Sequence, residues 1–248
     1  MAANKTSGLG DGCYVGGYDI SGDTQALSKI GGGPSTLDLT DITQSAHARV
    51  GGIISGQLNF AVFHDVQPGQ EHAVLSPLPR ASAIVTYAHQ PGTIGSAAAS
   101  ILAKQIGYDP NRASNGMLTI SVATQNSDGY PLEWGNFLTA GVRTDTVATN
   151  GASLDGTAAT AFGLSAYLHV FSITGTSVTV KLQDSADNST FADITGATFA
   201  ASTGRDYQRL ETANNATVRR YVRAVTTGTF TNAQFVVNFV RRETTVAY

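Results

Sequence analysis

Short stretches in which apolar and polar residues alternate recur along the first 150 residues. In residues 57–65, Leu58, Phe60 and Val62 share one parity, and Gln57, Asn59 and Ala61 the other. Successive side chains of a β-strand point to opposite faces of its sheet, so this pattern predicts a half-buried strand. Residues 81–89 and 117–125 are predicted strands as well, each bounded by turn residues.

Two segments have helical rather than alternating spacing. The first begins at Leu39 and predicts a short helix that Gly51 and Gly52 end, with apolar residues at Leu39, Ile42, Ala46 and Val50. The second, residues 93–106, is rich in alanine and stops at Gly107. Its apolar stripe gives the strongest helix prediction in the chain, a helix packed on a sheet.

Beyond residue 160 the alternating pattern returns without any helical segment. Six strands are predicted, at residues 162–174, 177–184, 191–199, 207–212, 217–226 and 230–241. Short strands at this spacing predict a compact Ig-like or jelly-roll-like β-sandwich. Residues 144–160 have hardly a bulky side chain, so we place a linker there and a domain boundary near residue 150.

The first 34 residues are rich in glycine and have little apolar surface to bury. They predict an extended arm that is disordered or ordered only by neighbouring subunits. The predicted organisation is an arm (residues 1–34), a mostly β domain with one flanking α-helix (35–150) and a C-terminal β-sandwich (151–248).

Composition adds that the surface carries few charges. Charged residues make up 13% of the chain, about half the share of about 25% in a typical soluble domain. Either much surface is buried against copies of the same chain, or serine, threonine and asparagine solvate it. The net charge is −4 for residues 1–150 and +1 for residues 151–248. Neither half has the concentrated positive stripe of a nucleic-acid-binding protein.

A single cysteine, Cys13, excludes an intramolecular disulfide and a thiolate metal cage. Residues 1–12 contain no apolar signal-like region, and no apolar run approaches the roughly 20 residues that span a bilayer. We therefore expect the chain to be made and folded in a reducing cytoplasm.

Catalytic, cofactor and metal motifs are not found in the sequence. The five histidines, His47, His64, His72, His89 and His169, lack metal-ligand spacing with acids. There is no nucleophile elbow, and the glycines of residues 8–12 and 31–36 fit neither a dinucleotide nor a phosphate loop. The sequence thus predicts no enzyme, no cofactor and no metal site.

Two polar clusters could bind a ligand, but each also has a purely structural explanation. Residues 184–188 offer oxygens to calcium but lack the final glutamate, and turns of this composition are commoner. Arg219, Arg220 and Arg223 could contact nucleic acid, yet a polar strand face or a subunit contact explains them equally. Arg241 and Arg242 are expected to be solvated.

Several segments, in order along nearly the whole chain, resemble the major tail (tail tube) proteins of long-tailed bacteriophages, the siphophages. Among them is Leu132-Glu-Trp-Gly, and the full set is residues 41–52, 56–65, 76–80, 103–110, 132–135, 141–146, 180–191 and 218–225. Each segment alone is a weak signal, and their order carries the resemblance.

The resemblance implies a tube domain of two packed sheets with a flanking helix and a C-terminal decoration domain outside the tube. It implies a structural virion protein, assembled in the host cytoplasm without a membrane, whose homo-hexameric rings stack into a hollow tail tube. Tape measure, tail tip and terminator proteins are the implied partners. Genomic DNA would pass through a net-negative lumen without specific binding. Residues 1–34 and 67–79 are our candidates for contacts between rings.

Two other classes stay open. A capsid decoration or tail-terminator protein would share the composition but form trimers or a single ring. A carbohydrate- or surface-binding β-sandwich is the second alternative, although the only tryptophan, Trp134, lies outside the predicted C-terminal domain.

Overall fold

The computed structural model describes residues 7–77 and 81–244. The predictions for residues 1–6, 78–80 and 245–248 lie outside the described residues. Antiparallel strands dominate the described chain, which confirms the mostly β fold. The strands are β1 (Gly12–Val15), β2 (Tyr18–Asp19), β3 (Thr24–Asp38), β4 (Arg49–Phe63), β5 (Ala83–Ala88), β6 (Ala97–Arg112), β7 (Leu118–Asn126), β8 (Glu133–Phe137), β9 (Arg143–Asp145), β10 (Asn150–Asp155), β11 (Leu164–Ser185), β12 (Ala192–Thr198), β13 (Asp206–Glu211) and β14 (Tyr221–Arg241).

The described residues contain one helix, α1 (Glu71–Leu75). It lies inside segment 67–79, which was predicted to be a loop. No helix in the described part of the chain has the length and apolar character to cross a membrane.

The strongest helix prediction, over residues 93–106, is wrong, because this segment forms most of strand β6. Ala99, Ile101 and Ala103 face one apolar cluster, and Ala98 on the opposite face belongs to another. A strand buried on both faces has apolar residues at both parities, and over a short window that pattern imitates a helical stripe.

The prediction that the first 34 residues have little to bury is also wrong. Strand β1 pairs with β5 from Gly12↔Ala88 to Val15↔Val85. Cys13 is 1% exposed and Ile20 is 0% exposed, so this part of the chain belongs to the core. Burial raises the pKa of the Cys13 thiol to about 12, which keeps it protonated.

The longest strands form one hairpin in the second half. β11 and β14 pair from Leu164↔Arg241 to Ser185↔Tyr221. The sequence predicts four shorter strands here, because glycine and threonine near Gly175 and Gly228 have the composition of turns. In the structure Gly175 (φ +137°) lies at a register shift, and Gly228 (φ +119°) pairs in register with Val178 close by, so each strand continues past its glycine. The predicted strands 191–199 and 207–212 are confirmed as β12 and β13.

The sheet continues across the predicted boundary near residue 150. Strands β8 and β9 come before that boundary, and both pair with β14 near the end of the chain. The strand order is β12-β11-β14-β8-β6-β5-β1-β2, with β3, β4 and β7 joined through β6. The division into domains at residue 150 stays a prediction.

Two buried polar networks also connect the halves. His169 on β11 accepts a hydrogen bond at Nδ1 from the Gly17 N–H (3.2 Å), so its Nε2–H donates to the Thr86 hydroxyl (2.9 Å). In the second network, the Glu133 carboxylate pairs with the Arg209 guanidinium at 3.1 Å and accepts the Tyr167 hydroxyl. The carboxylate and the guanidinium are both almost completely buried.

Candidate assembly surface

Strands β3 and β4 form a long hairpin that leaves the body of the protein. They pair from Thr24↔Val62 to Asp38↔Arg49. β4 has a second neighbour, β7, only over Phe60–Phe63. Fifteen residues in each strand correspond to about 50 Å at about 3.3 Å per residue. Among the described residues, those from 33 to 55 make no hydrogen bond to another element, and we call them the projecting hairpin.

The projecting hairpin is apolar and exposed. Ile42 at its tip is fully exposed and Ile53 is 87% exposed. The other exposed apolar side chains of the projecting hairpin are Leu37, Leu39, Val50 and Ile54. Monomeric soluble proteins rarely expose contiguous apolar patches of this kind, and such patches mark contact sites.

The tip of the hairpin, residues 39–48, is a turn and not the predicted short helix. The Asp38 carboxylate accepts the Thr40 N–H (2.9 Å), and the Asp41 carboxylate accepts the Thr43 N–H (2.8 Å). These hydrogen bonds, together with those from the two threonine hydroxyls, lower the pKa of both aspartates. Local side-chain hydrogen bonds of this type compete with a helix, which explains the failure of the prediction.

The hairpin also presents unpaired strand edges. β3 pairs only with β4 in the described chain, so its outer edge has free backbone N–H and C=O groups. An open edge of this length can pair with a strand of another chain, and monomeric proteins usually block such edges with charges, proline or cover. Pro34 interrupts the edge at one position.

The arginine cluster of the second half is engaged within the chain. Arg220 pairs with Asp155 at 2.7 Å, Arg223 donates to Gln183 Oε1, and the Arg219 guanidinium lies 3.8 Å from the Asp184 carboxylate. Intramolecular partners thus account for all three side chains without nucleic acid.

The expected solvation of the C-terminal arginine pair is wrong for Arg242, which is 4% exposed. It pairs with Glu211 at 2.6 Å. Arg241 is partly buried and donates to the main-chain carbonyls of Val218, Arg219 and Arg220.

The calcium-like segment 184–188 comprises the end of β11 and the start of the turn that leads to β12. The Asp187 carboxylate accepts the Ser185 hydroxyl and the N–H groups of Ser189 and Thr190 at 2.8–2.9 Å. These donors hold the pKa of Asp187 at about 2. The turn geometry explains this cluster of oxygens.

One cluster of chemically active side chains escaped the sequence analysis. His64, Glu71 and His72 come together at the start of α1, although seven residues lie between the two histidines in the sequence. A search for short histidine motifs does not find this spacing. The sequence would predict the cluster only if the loop between β4 and α1 were known to bring residue 64 next to residues 71 and 72. The other histidines lie apart, and His169 is buried in the polar network described above.

An apolar pocket of about 180 Å³ lies beside α1, lined by Val15, Phe60, Val74, Leu75 and Val85 among others. The polar residues at its wall include Tyr18, Gln105, Thr124 and Tyr207. No pair of an acid and a base converges on this pocket among the described residues, so the geometry offers no catalytic arrangement here.

Comparisons with known proteins give few matches. No protein family and no curated protein matches the chain. Among solved structures, it is similar to the crystal structure of the Dit (gp 19.1) protein of phage SPP1, described as a paradigm of the hub adsorption apparatus in phages that infect Gram-positive bacteria. The identity is 10%, the match covers 93% of this chain and 99% of that chain, and the TM-score is 0.33.

Proposed function

We propose that this chain is a structural phage tail protein, the subunit of a tail tube built from stacked hexameric rings. The observation that carries the proposal is the projecting hairpin, an apolar and open-edged element without a hydrogen-bonded partner elsewhere in the described chain. The order of segments that resemble major tail proteins supports the same assignment.

The hairpin suits a contact that repeats from subunit to subunit. A head-to-tail contact joins two different surfaces, and it closes into a ring or continues as a tube depending on its rotation. In the proposed tube, Ile42 and Ile53 pack on the body of a neighbouring copy, and the edge of β3 adds to a neighbour's sheet. Residues 24–34, part of the segment proposed for contacts between rings, lie in strand β3, whose outer part continues into the projecting hairpin.

The lumen of the proposed tube is lined by first-half residues and is net negative. The charge of −4 on residues 1–150 supports this part of the proposal. Like charges repel DNA phosphates, so DNA slides through the tube instead of binding to it. Tape measure, tail tip and terminator proteins remain the proposed partners.

Sedimentation velocity at rising protein concentration tests the assembly role of the hairpin. The double variant Ile42→Ser, Ile53→Ser removes apolar contact area from side chains that are 104% and 87% exposed. Surface substitutions of this kind change the free energy of unfolding by no more than about 0.5 kcal/mol. We expect the native chain to form large assemblies and the variant to stay monomeric.

A matched control changes exposed apolar residues outside the hairpin. The double variant Val142→Ser, Val147→Ser alters side chains that are 38% and 64% exposed. We expect it to assemble as the native chain does. Assembly by the hairpin variant at native concentrations would show that the hairpin is not the contact.

A second candidate function is carbohydrate binding at Trp134, which is 53% exposed. It borders a groove lined by Asn136, Asp155 and Arg241, and aromatic side chains with a few placed polar groups are typical of ligand sites. Because Trp134 is the only tryptophan, its fluorescence reports this site alone. A saturable change on titration with bacterial cell-wall oligosaccharides would support the function, and unchanged emission would oppose it.

A further inference from the structure

Three side chains with metal-ligand chemistry meet where strand β4 ends and helix α1 begins. His64 follows β4 directly, and Glu71 and His72 open α1. One ligand atom from each residue lies within 4.8 Å of the others. The His64 Nδ1 is 3.6 Å from the Glu71 Oε2.

The carboxylate of this cluster is buried, and no lysine or arginine of the described residues pairs with it. Glu71 is 0% exposed, and no lysine or arginine of the described chain lies within ion-pair distance of it. A second carboxylate, that of Asp23, is 9% exposed and accepts the Glu71 N–H at 3.0 Å. A buried carboxylate is costly unless it is paired or coordinates a metal ion. The charges around Glu71 therefore favour a cation.

The surrounding hydrogen bonds hold the carboxylate and one histidine in place. The Tyr108 hydroxyl donates to the Glu71 Oε1 at 2.5 Å and lies 2.8 Å from the His72 Nδ1. The Asp65 N–H donates to the other Glu71 oxygen (3.0 Å), and the Asp65 carbonyl accepts the His72 N–H (3.0 Å). Outer hydrogen bonds of this kind orient the ligands of metal sites.

We propose that His64, Glu71 and His72 form a binding site for Zn²⁺. Two imidazole nitrogens and one carboxylate oxygen are a recognised zinc ligand set, with water as the fourth ligand. Tetrahedral zinc with bonds of about 2.0–2.1 Å needs ligand atoms about 3.4 Å apart, so the cluster must contract. The His64 side chain is 29% exposed, so packing does not fix it on every side. Nitrogen ligands disfavour Ca²⁺ and Mg²⁺.

A bound ion would tie the end of β4 to α1, and through Tyr108 to β6. It would fix the end of β4 that pairs with β7 in the body of the protein. The proposal does not depend on tube assembly, because it rests only on contacts within one chain.

Isothermal titration calorimetry of the full chain, stripped with a chelator and desalted, tests the site with ZnCl₂. We expect one Zn²⁺ per chain, and the Co²⁺-loaded protein should show the absorption of a tetrahedral site. Tyr108→Phe should weaken Zn²⁺ binding by about 10- to 100-fold, the effect of losing an outer hydrogen bond. His64→Asn removes a ligand and should weaken it further.

The matched control is His47→Asn, because His47 is an exposed histidine that lies 2.9 Å from the Asp38 carboxylate. It should bind Zn²⁺ as the native chain does. Circular dichroism of each metal-free variant checks that it folds. Among the three ligands, His64 is partly exposed, so His64→Asn is the change least expected to disturb folding. Absence of Zn²⁺ binding by the native chain would overturn the proposal. So would binding that survives His64→Asn or that is lost in His47→Asn.

Discussion

At the scale of single residues, His169 shows how burial sets chemistry. It is fully buried, and both ring nitrogens are hydrogen-bonded. Both bonds can form at the same time only when the ring is neutral, because Nδ1 accepts and Nε2 donates. Burial lowers its pKa from 6.5 to about 3. A proton on Nδ1 would have to displace the Gly17 N–H, so the folded state resists protonation.

Acid should therefore destabilise the protein through His169. Below pH 6.5 the unfolded chain binds a proton at this histidine that the folded chain does not bind. The contribution of neutral His169 to the free energy of unfolding is therefore complete above pH 6.5 and declines as the pH falls towards 3. Each pH unit in this window costs about 1.4 kcal/mol. Urea unfolding at pH 7 and pH 5 should show the free-energy gap between native chain and His169→Gln narrowing by about 2 kcal/mol. An unchanged gap would contradict the assignment.

The ion pair between Arg209 and Glu133 gives a second prediction at this scale. Arg209→Met removes the guanidinium that pairs with the buried Glu133 carboxylate beside Tyr167, and breaking a buried ion pair typically costs about 3–5 kcal/mol. The double variant Arg209→Met, Glu133→Gln removes the buried charge and should regain much of that loss. Denaturant unfolding measures both. A double variant that is no more stable than the single one would show that the charge is solvated.

At the scale of elements, the long strands of the second half depend on glycine. Gly175 has a φ of +137°, and a Cβ there would lie 2.5 Å from the Phe230 Cα. We expect Gly175→Ala to lower the free energy of unfolding by about 1–3 kcal/mol, the usual cost of a residue forced into such a backbone conformation.

Gly204→Ala is the control for this prediction, because a Cβ at Gly204 meets nothing within 4 Å. Its unfolding free energy should stay within about 0.5 kcal/mol of the native value. Equal losses in thermal unfolding of the two variants would contradict the role given to Gly175.

Which elements could be predicted depends on how many faces they bury. The end of β4 buries Leu58, Phe60 and Val62 on one face, and the alternation in the sequence shows it. β6 buries both faces, so periodicity cannot separate it from a helix. The four residues of β1 are too few to show a hydrophobic period. They are buried by contacts with β5, which is distant in the sequence, so local patterns could not predict this strand.

The candidate surface was predictable only in part. The apolar side chains at Leu39 and Ile42 are visible in the sequence, but their helical spacing predicted a short helix. Their exposure follows from the length of the β3–β4 pairing, which extends beyond the reach of β7. The cluster of His64, Glu71 and His72 depends on a loop closure that local patterns do not encode.

At the scale of the whole molecule, one continuous sheet system joins the two halves of the chain. Strand β14, near the end of the chain, pairs with β8 and β9 of the first half, and His169 and Arg209 contact residues there. Against this internally paired body, the projecting hairpin has exposed apolar side chains and an open edge. These features are the ones on which the proposed contacts between copies depend.

Negative-stain electron microscopy of the purified full chain at high concentration tests whether the chain assembles into a tail tube. We expect hollow tubes or rings with six-fold symmetry, formed without nucleic acid or membrane. Discrete monomers or trimers at the highest soluble concentration would contradict assembly into a tail tube.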